Sequence, residues 1–279
     1  FISTAAGRVF KSDGTAAGTV EIAPLANYGT SYELAAWNGR LVFSSYTGSG
    51  SSTNGELWIS DGTAAGTARL RSGFVARVSG IRAFGPRFLF IADDGVVGTE
   101  MWASDGTSAG TRLLLDIAPN PDPTYTLSPA VVAGSRAFFR ERDATHGVEL
   151  WATDGTSAGT YLVLDIWTGV WDSYPRYITA VGPRVFFRGK HWNWGEEPWV
   201  SDGTAAGTRL VANLHPLGDS LYVPIGVLGN RVLFSASGWA KPHLRRLAPA
   251  TAPLALLPDA LFAEHSSLES PAELGMILE

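Results

Sequence analysis

The chain has 279 residues and no cysteine, 45% of it is hydrophobic and 17% charged, and its formal net charge is −5. That balance suits a chain that buries a core rather than a disordered one, the lack of cysteine removes disulfides and thiolate metal sites, and an acidic protein has no general field to gather phosphate backbones, so nucleic acid is not expected as a partner. Apolar stretches are broken by Gly, Arg or Asp well short of the roughly 18 residues that a spanning helix needs, so no membrane insertion is expected.

In chain order, the first unit is a fragment. FISTAAG opens at Phe1 in the register that Phe90 holds in FIADDGV, and FKSDGTAAGT follows from Phe10 to Thr19. The second unit is fuller: NGRLVF ends at Phe43 and ELWISDGTAAGT runs from Glu56 to Thr67. The third has GPRFLF to Phe90, EMWASDGTSAGT to Thr111, then the apolar run TRLLLDI. The fourth has PAVVA, GSRAFF to Phe139, ELWATDGTSAGT to Thr160 and YLVLDI, and the fifth has YITAV, GPRVFF to Phe187, EPWVSDGTAAGT to Thr208 and TRLVANL. The sixth keeps GNRVLF to Phe234, but HLRRLAPATAPLALL (His243 to Leu257) puts Leu244 where Trp is expected and carries no DGT.

Each unit therefore reads as strand a, a Gly-containing turn, strand b starting on Arg, a variable loop, strand c bearing Trp, the DGTxAGT turn, strand d and a second variable loop. Short β-branched and aromatic runs separated by tight Gly turns are hairpin chemistry. Four antiparallel strands in about 47 residues is the size of a propeller blade. The expected fold is thus all-β: a β-propeller of about six four-stranded antiparallel blades, the first and last atypical, as one domain over 1–279. Because the first unit lacks strand a and the opening of strand b, either residues 258–279 supply a closing strand or sequence precedes Phe1.

The runs Glu56-Leu57-Trp58, Glu100-Met101-Trp102, Glu149-Leu150-Trp151 and Glu197-Pro198-Trp199, each leading into DGTxAGT, with Asp116-Ile117 and Asp165-Ile166 behind, resemble the bacterial ELWxxDGTxAGT repeat family. The resemblance implies a secreted or cell-envelope bacterial repeat protein, similar to myxobacterial members, in a family mostly without an assigned activity. The chain departs from the pattern at Phe10, which replaces Trp, and in the whole sixth unit.

The repeated residues read as architecture. Trp58, Trp102, Trp151 and Trp199 are large flat rings for filling space between sheets. Asp13, Asp61, Asp105, Asp154 and Asp202 can accept from amides two residues on while the next Gly takes positive φ, a placement that resembles the Asp-box of sialidases. Arg40, Arg87, Arg136, Arg184 and Arg231 start strand b at the DGT end and are expected to pair with those Asp residues. Glu56, Glu100, Glu149 and Glu197 share a strand face with the Trp two residues on and are expected to act as latches.

Antiparallel alternation puts the uniform a–b and c–d turns at one end of every sheet and the variable b–c and d–a loops at the other, and variable loops on a rigid scaffold are where binding residues collect. Two of them carry tryptophans outside the repeat register, and their Trp167, Trp171, Tyr174, Arg176, His191, Trp192 and Trp194 are the expected ligand-binding residues. Other charged loop positions are Asp93, Asp94, Arg140, Glu141, Arg142, Asp143, His146, Lys190, Glu196, Lys241 and His243, with Trp239 beside them. A glycosidase needs two carboxylates about 5–9 Å apart, for which Asp93, Glu141, Asp143 and Glu196 qualify by position alone. No motif for a nucleophilic, metal or phosphate site is present, so no catalytic residue, cofactor or metal is expected. The leading reading is a non-enzymatic binding or adhesion module facing a carbohydrate or protein at the bacterial surface. The alternatives are a polysaccharide hydrolase or lyase and a purely structural domain.

Overall fold

A computed structural model describes residues 2–3, 8–24, 33–47, 54–117, 127–216, 218–236 and 275–278. These residues form strands and turns with no helix, arranged as six antiparallel sheets. The first sheet is β1 (Ile2–Ser3), β2 (Arg8–Lys11) and β3 (Val20–Pro24). The second is β4 (Leu34–Trp37), β5 (Arg40–Thr47), β6 (Asn54–Ser60) and β7 (Ala68–Phe74); the third is β8 (Ser79–Phe84), β9 (Arg87–Asp93), β10 (Thr99–Ser104) and β11 (Arg112–Leu113). The fourth is β12 (Val131–Ala133), β13 (Arg136–Asp143), β14 (Gly147–Thr153) and β15 (Tyr161–Leu164). The fifth is β16 (Arg176–Val181), β17 (Arg184–His191), β18 (Gly195–Ser201) and β19 (Arg209–Leu210), and the sixth is β20 (Val223–Leu228), β21 (Arg231–Ser235) and β22 (Gly275–Leu278). Hydrogen-bonded order follows chain order in each sheet, which is the a–b–c–d meander read from the repeats. By internal contacts the chain divides into two compact units, Phe1–Ala130 with Thr153–Tyr161, and Val131–Ala152 with Leu162–Glu279.

The register at the N-terminus differs from the expectation. Phe10 lies opposite Ile2, not Phe1, a slip of one residue from the register inferred from Phe90; a one-residue slip exchanges the two faces of a strand. Gly275–Leu278 pairs with β21 of the sixth sheet, where Met276 sits opposite Phe234, and so occupies the position of strand c there. The first sheet is ordered β1-β2-β3 among the described residues, and most of the segment 258–279 expected as a closing strand or tail lies outside them.

The repeated rings are cross-strand partners. Phe43 lies opposite Trp58, Phe90 opposite Trp102 and Phe187 opposite Trp199, and the first two pairs stack with centroids 6.2 Å apart. Trp102, Trp151 and Trp199 are buried, whereas Trp58 is half-buried. Buried indole N–H groups find acceptors: Trp102 Nε1 donates to the Ala92 carbonyl and Trp199 Nε1 to that of Gly189, each at 3.1 Å. In the first unit Phe74 meets Trp102 edge-on at 5.4 Å, and Trp37 meets Phe88 edge-on at 5.2 Å, so these rings fill the space between the second and third sheets.

Each DGT turn is wired identically. At the third sheet, Asp105 Oδ1 accepts from the Thr107 amide at 2.9 Å and from its hydroxyl at 2.7 Å. Thr107 Oγ1 accepts in turn from the Gly110 amide, and Thr111 Oγ1 donates to the Thr107 carbonyl while lying 2.8 Å from Ser104 Oγ. The Thr107 hydroxyl and amide hold the Asp105 carboxyl below its usual range. The two glycines of the phrase are required for different reasons. Gly106 has φ 84°, which a side chain rarely adopts. A Cβ on Gly110 would lie 2.0 Å from Asp105 Oδ1, so the carboxylate occupies the space that a side chain needs. Gly110→Ala is therefore expected to cost about 1–3 kcal/mol by overpacking, while Ser108→Ala, exposed in the same turn, stays within about 0.5 kcal/mol. Equilibrium denaturation of the two variants checks this.

At Arg136 the expected pairing of a strand-b arginine with a DGT carboxylate takes another form. Arg136 of the fourth sheet donates to the Asp202 main-chain carbonyl of the fifth at 3.4 Å, and its side chain lies against Gly203, where a Cβ would be 2.7 Å from Arg136 Cδ. The guanidinium thus bridges neighbouring sheets through a carbonyl, although its charge still favours the ionised Asp202.

Candidate functional site

The latch glutamates build the floor of the variable loops. Within the second unit, Glu149 lies on the buried strand β14 and accepts from the amides of Ile166 (3.3 Å), Trp167 (3.3 Å) and Ser173 (3.2 Å), and from the Ser173 hydroxyl. Glu197 does the same one repeat later, accepting from the Leu214 and His215 amides at 3.0 Å. In the third sheet Glu100 accepts from the Ile117 amide at 3.1 Å. Glu56 differs, because it faces Arg69 Nη1 at 2.9 Å. The carboxylates of Glu100, Glu149 and Glu197 thus tie the start of each d–a connection to strand c, which explains the DI tail: Ile117 and Ile166 occupy equivalent latched positions. Burial pushes the Glu149 carboxyl up to about 8, against the pull of its four donors, and moves Glu197 in the same direction.

A second clamp has no counterpart among the sequence expectations. Asp172 Oδ1 accepts from the Val148 amide at 2.9 Å, and Ser173 follows it into the sheet junction. Asp219 Oδ1 accepts from the Glu196 amide at 2.7 Å, and the Ser220 amide donates to the Glu196 carbonyl at 2.8 Å. Gly147 and Gly195 accommodate these clamps, since a Cβ on either would lie 2.6 Å from a carbonyl oxygen of the incoming loop. The residues after the serines, Tyr174 and Leu221, both take positive φ (51° and 49°), so the turn at Tyr174 is part of the repeat. The recurring Asp-Ser dipeptide in WDSYP and GDSLY is the signal that could have found it.

The seven expected ligand residues are held at the loop end of the fifth sheet, but in separate groups. Trp167 stacks on Trp171 (5.9 Å, 23°), with Lys190 Nζ 5.3 Å from the Trp167 ring. Arg176 lies over Tyr174 at 4.9 Å, and Arg140 approaches the same ring at 5.6 Å. His191 stacks on Trp194 at 4.1 Å and lies 5.9 Å from Trp192. Lys190 and His191 are consecutive on β17, so they point to opposite faces of the sheet. The ring contacts thus form two groups at one strand end, Trp167 with Trp171 and His191 with Trp192 and Trp194. One is cationic. The other is neutral in character, because burial pushes the His191 imidazole down. Trp171 and Trp192 are the open rings, 60% and 68% exposed.

The carboxylates considered for catalysis have structural employment. Asp93 accepts from the Gly95 amide, and Asp94 from those of Val96 and Val97. Glu141 is buried and accepts from the Arg142 amide. Asp143 accepts from the Thr145 and His146 amides and lies 2.8 Å from His146 Nδ1. Glu196 pairs with Arg188 Nε at 3.1 Å. Among the described residues no three His, Asp or Glu come together as a metal group; Trp239, Lys241 and His243 lie outside them.

No protein-family model matches the chain, and no curated protein matches it. Among solved structures it is similar to a puromycin hydrolase (16% identity, TM-score 0.48), to a puromycin-hydrolyzing peptidase of Mycobacterium tuberculosis (13%, 0.48) and to TolB from Acinetobacter baumannii (12%, 0.39). Each likeness covers 83% of this chain. The chain spans 38% of the length of the two hydrolases and 57% of TolB.

Proposed function

We propose that the six meandering sheets are the blades of a β-propeller and that the protein is a non-enzymatic binding or adhesion module, presenting its variable loop end to a carbohydrate or protein at the bacterial cell surface. The observation that carries this reading is a pair of solvent-open indoles, Trp171 and Trp192, each backed by another ring of the same loop end. An exposed ring held by a neighbour keeps its orientation, so little side-chain freedom is lost when a ligand stacks on it. The latches at Glu149 and Glu197 and the clamps at Asp172 and Asp219 fix the loops that carry or adjoin these rings, as preorganised recognition requires. The carboxylates of the hydrolase alternative are engaged in turns and ion pairs, which favours binding over catalysis. In a glycan array and a cell-surface binding assay, Trp171→Ala and Trp192→Ala are expected to weaken binding tenfold or more at unchanged melting temperature. Unaltered binding by the double variant would sink the reading.

A further inference from the structure

The cationic cluster specifies more than a generic binding face, a specificity that rests on the reading of the loop end as a recognition surface. Arg176 lies opposite Arg188 across β16 and β17, and Lys190 is two residues beyond Arg188, so the three share one sheet face within about 7–8 Å of one another along the diagonal. The carboxylates around the cluster are engaged: Asp172 with Arg142 at 2.9 Å, Glu196 with Arg188 at 3.1 Å although it lies opposite Lys190, Glu149 with the Trp167 and Ser173 amides, and Asp165 with the Gly169 amide. Lys190 and Arg176 have aromatic partners, Trp167 and Tyr174, and among the described residues neither meets a carboxylate within ion-pair distance. The face thus carries two cations held by rings instead of carboxylates. Beside them, Trp171 offers an open flat ring stacked on Trp167.

We propose that Trp171, Lys190 and Arg176 form a subsite for an acidic carbohydrate, a uronic-acid residue whose ring stacks on Trp171 and whose carboxylate is met by Lys190 and Arg176. Charge complementarity selects the anion, and bidentate geometry suits Arg176 to a carboxylate. The flat stacked pair selects a ring over a peptide. A peptide would bind by joining a strand, and β17, which carries Lys190, is already paired on both sides. The neutral His191–Trp194 cluster across the strand supplies no competing cation, so the acidic preference is assigned to one side of the loop end.

Calorimetric titration of the full chain with tetragalacturonic acid, its methyl ester and poly-glutamate tests this. Expected are binding of the free acid at least tenfold tighter than the ester, weakening as salt rises, loss of that preference in Lys190→Ala and Arg176→Ala, and its retention in Lys190→Arg. Equal affinity for acid and ester, insensitive to salt and to Lys190→Ala, would overturn the acidic subsite and leave the binding reading standing. Poly-glutamate bound as tightly as the uronate, with the same Lys190 dependence, would overturn the carbohydrate class. Failure of the free acid to bind would overturn the subsite, and would reach the wider reading only if Trp171→Ala and Trp192→Ala were also silent in the array.

Discussion

Glu149→Ala is expected to lower stability by about 3–5 kcal/mol, because it strands the Ile166, Trp167 and Ser173 amides that the carboxyl group now satisfies and each unsatisfied buried donor costs roughly 1–3 kcal/mol. The exposed Asp116, replaced by Ala, should change stability by no more than about 0.5 kcal/mol. The same glutamate gives a pH dependence of definite sign. Its carboxyl titrates near about 8 in the folded chain, against a normal value of 4.5. A raised folded value means that the stabilisation is complete below about pH 4.5 and is lost as pH rises through about 8. The protonated form has its own partners: its proton can go to Ser173 Oγ, whose hydroxyl faces the Val148 carbonyl at 3.4 Å. Denaturant midpoints should therefore fall between about pH 5 and 8.5. Glu149→Gln should flatten that slope, with the part due to Glu197 remaining. A midpoint that rises over this range in the unmodified chain would show that the latch works as a carboxylate throughout.

Trp102→Ala should cost about 3–5 kcal/mol, the usual range for deleting a fully buried large aromatic, and lower the melting temperature by about 5–10 °C. Its ring is 2% exposed, stacks on Phe90, meets Phe74 edge-on and closes a hydrogen bond to Ala92, so nothing around it can relax into the space without losing contacts of its own. The equivalent Trp58→Ala should cost distinctly less. Trp58 is half-buried, and its N–H is shared between the Ser45 hydroxyl and Glu56 rather than committed to a backbone carbonyl. Parallel denaturation of the two variants measures the difference; equal losses would mean that register in the repeat, not burial, sets the contribution.

Features that depend on neighbours along the chain were legible before folding. Alternation and turn chemistry have periods of two to a few residues, so the a–b–c–d order and the Asp wiring of the DGT turns could be read from one copy and were reinforced by the others. The Glu latch was legible as a role, though its partners seventeen residues on were not. The remaining features turn on which groups meet across sheets, and no local pattern encodes that. Arg136 finds a carbonyl of the next sheet instead of a DGT carboxylate, and the chain's last strand pairs with β21. Most consequential for function, Lys190 and His191 diverge because the pleat sends consecutive side chains to opposite faces, so Lys190 joins Trp167 while His191 joins Trp194.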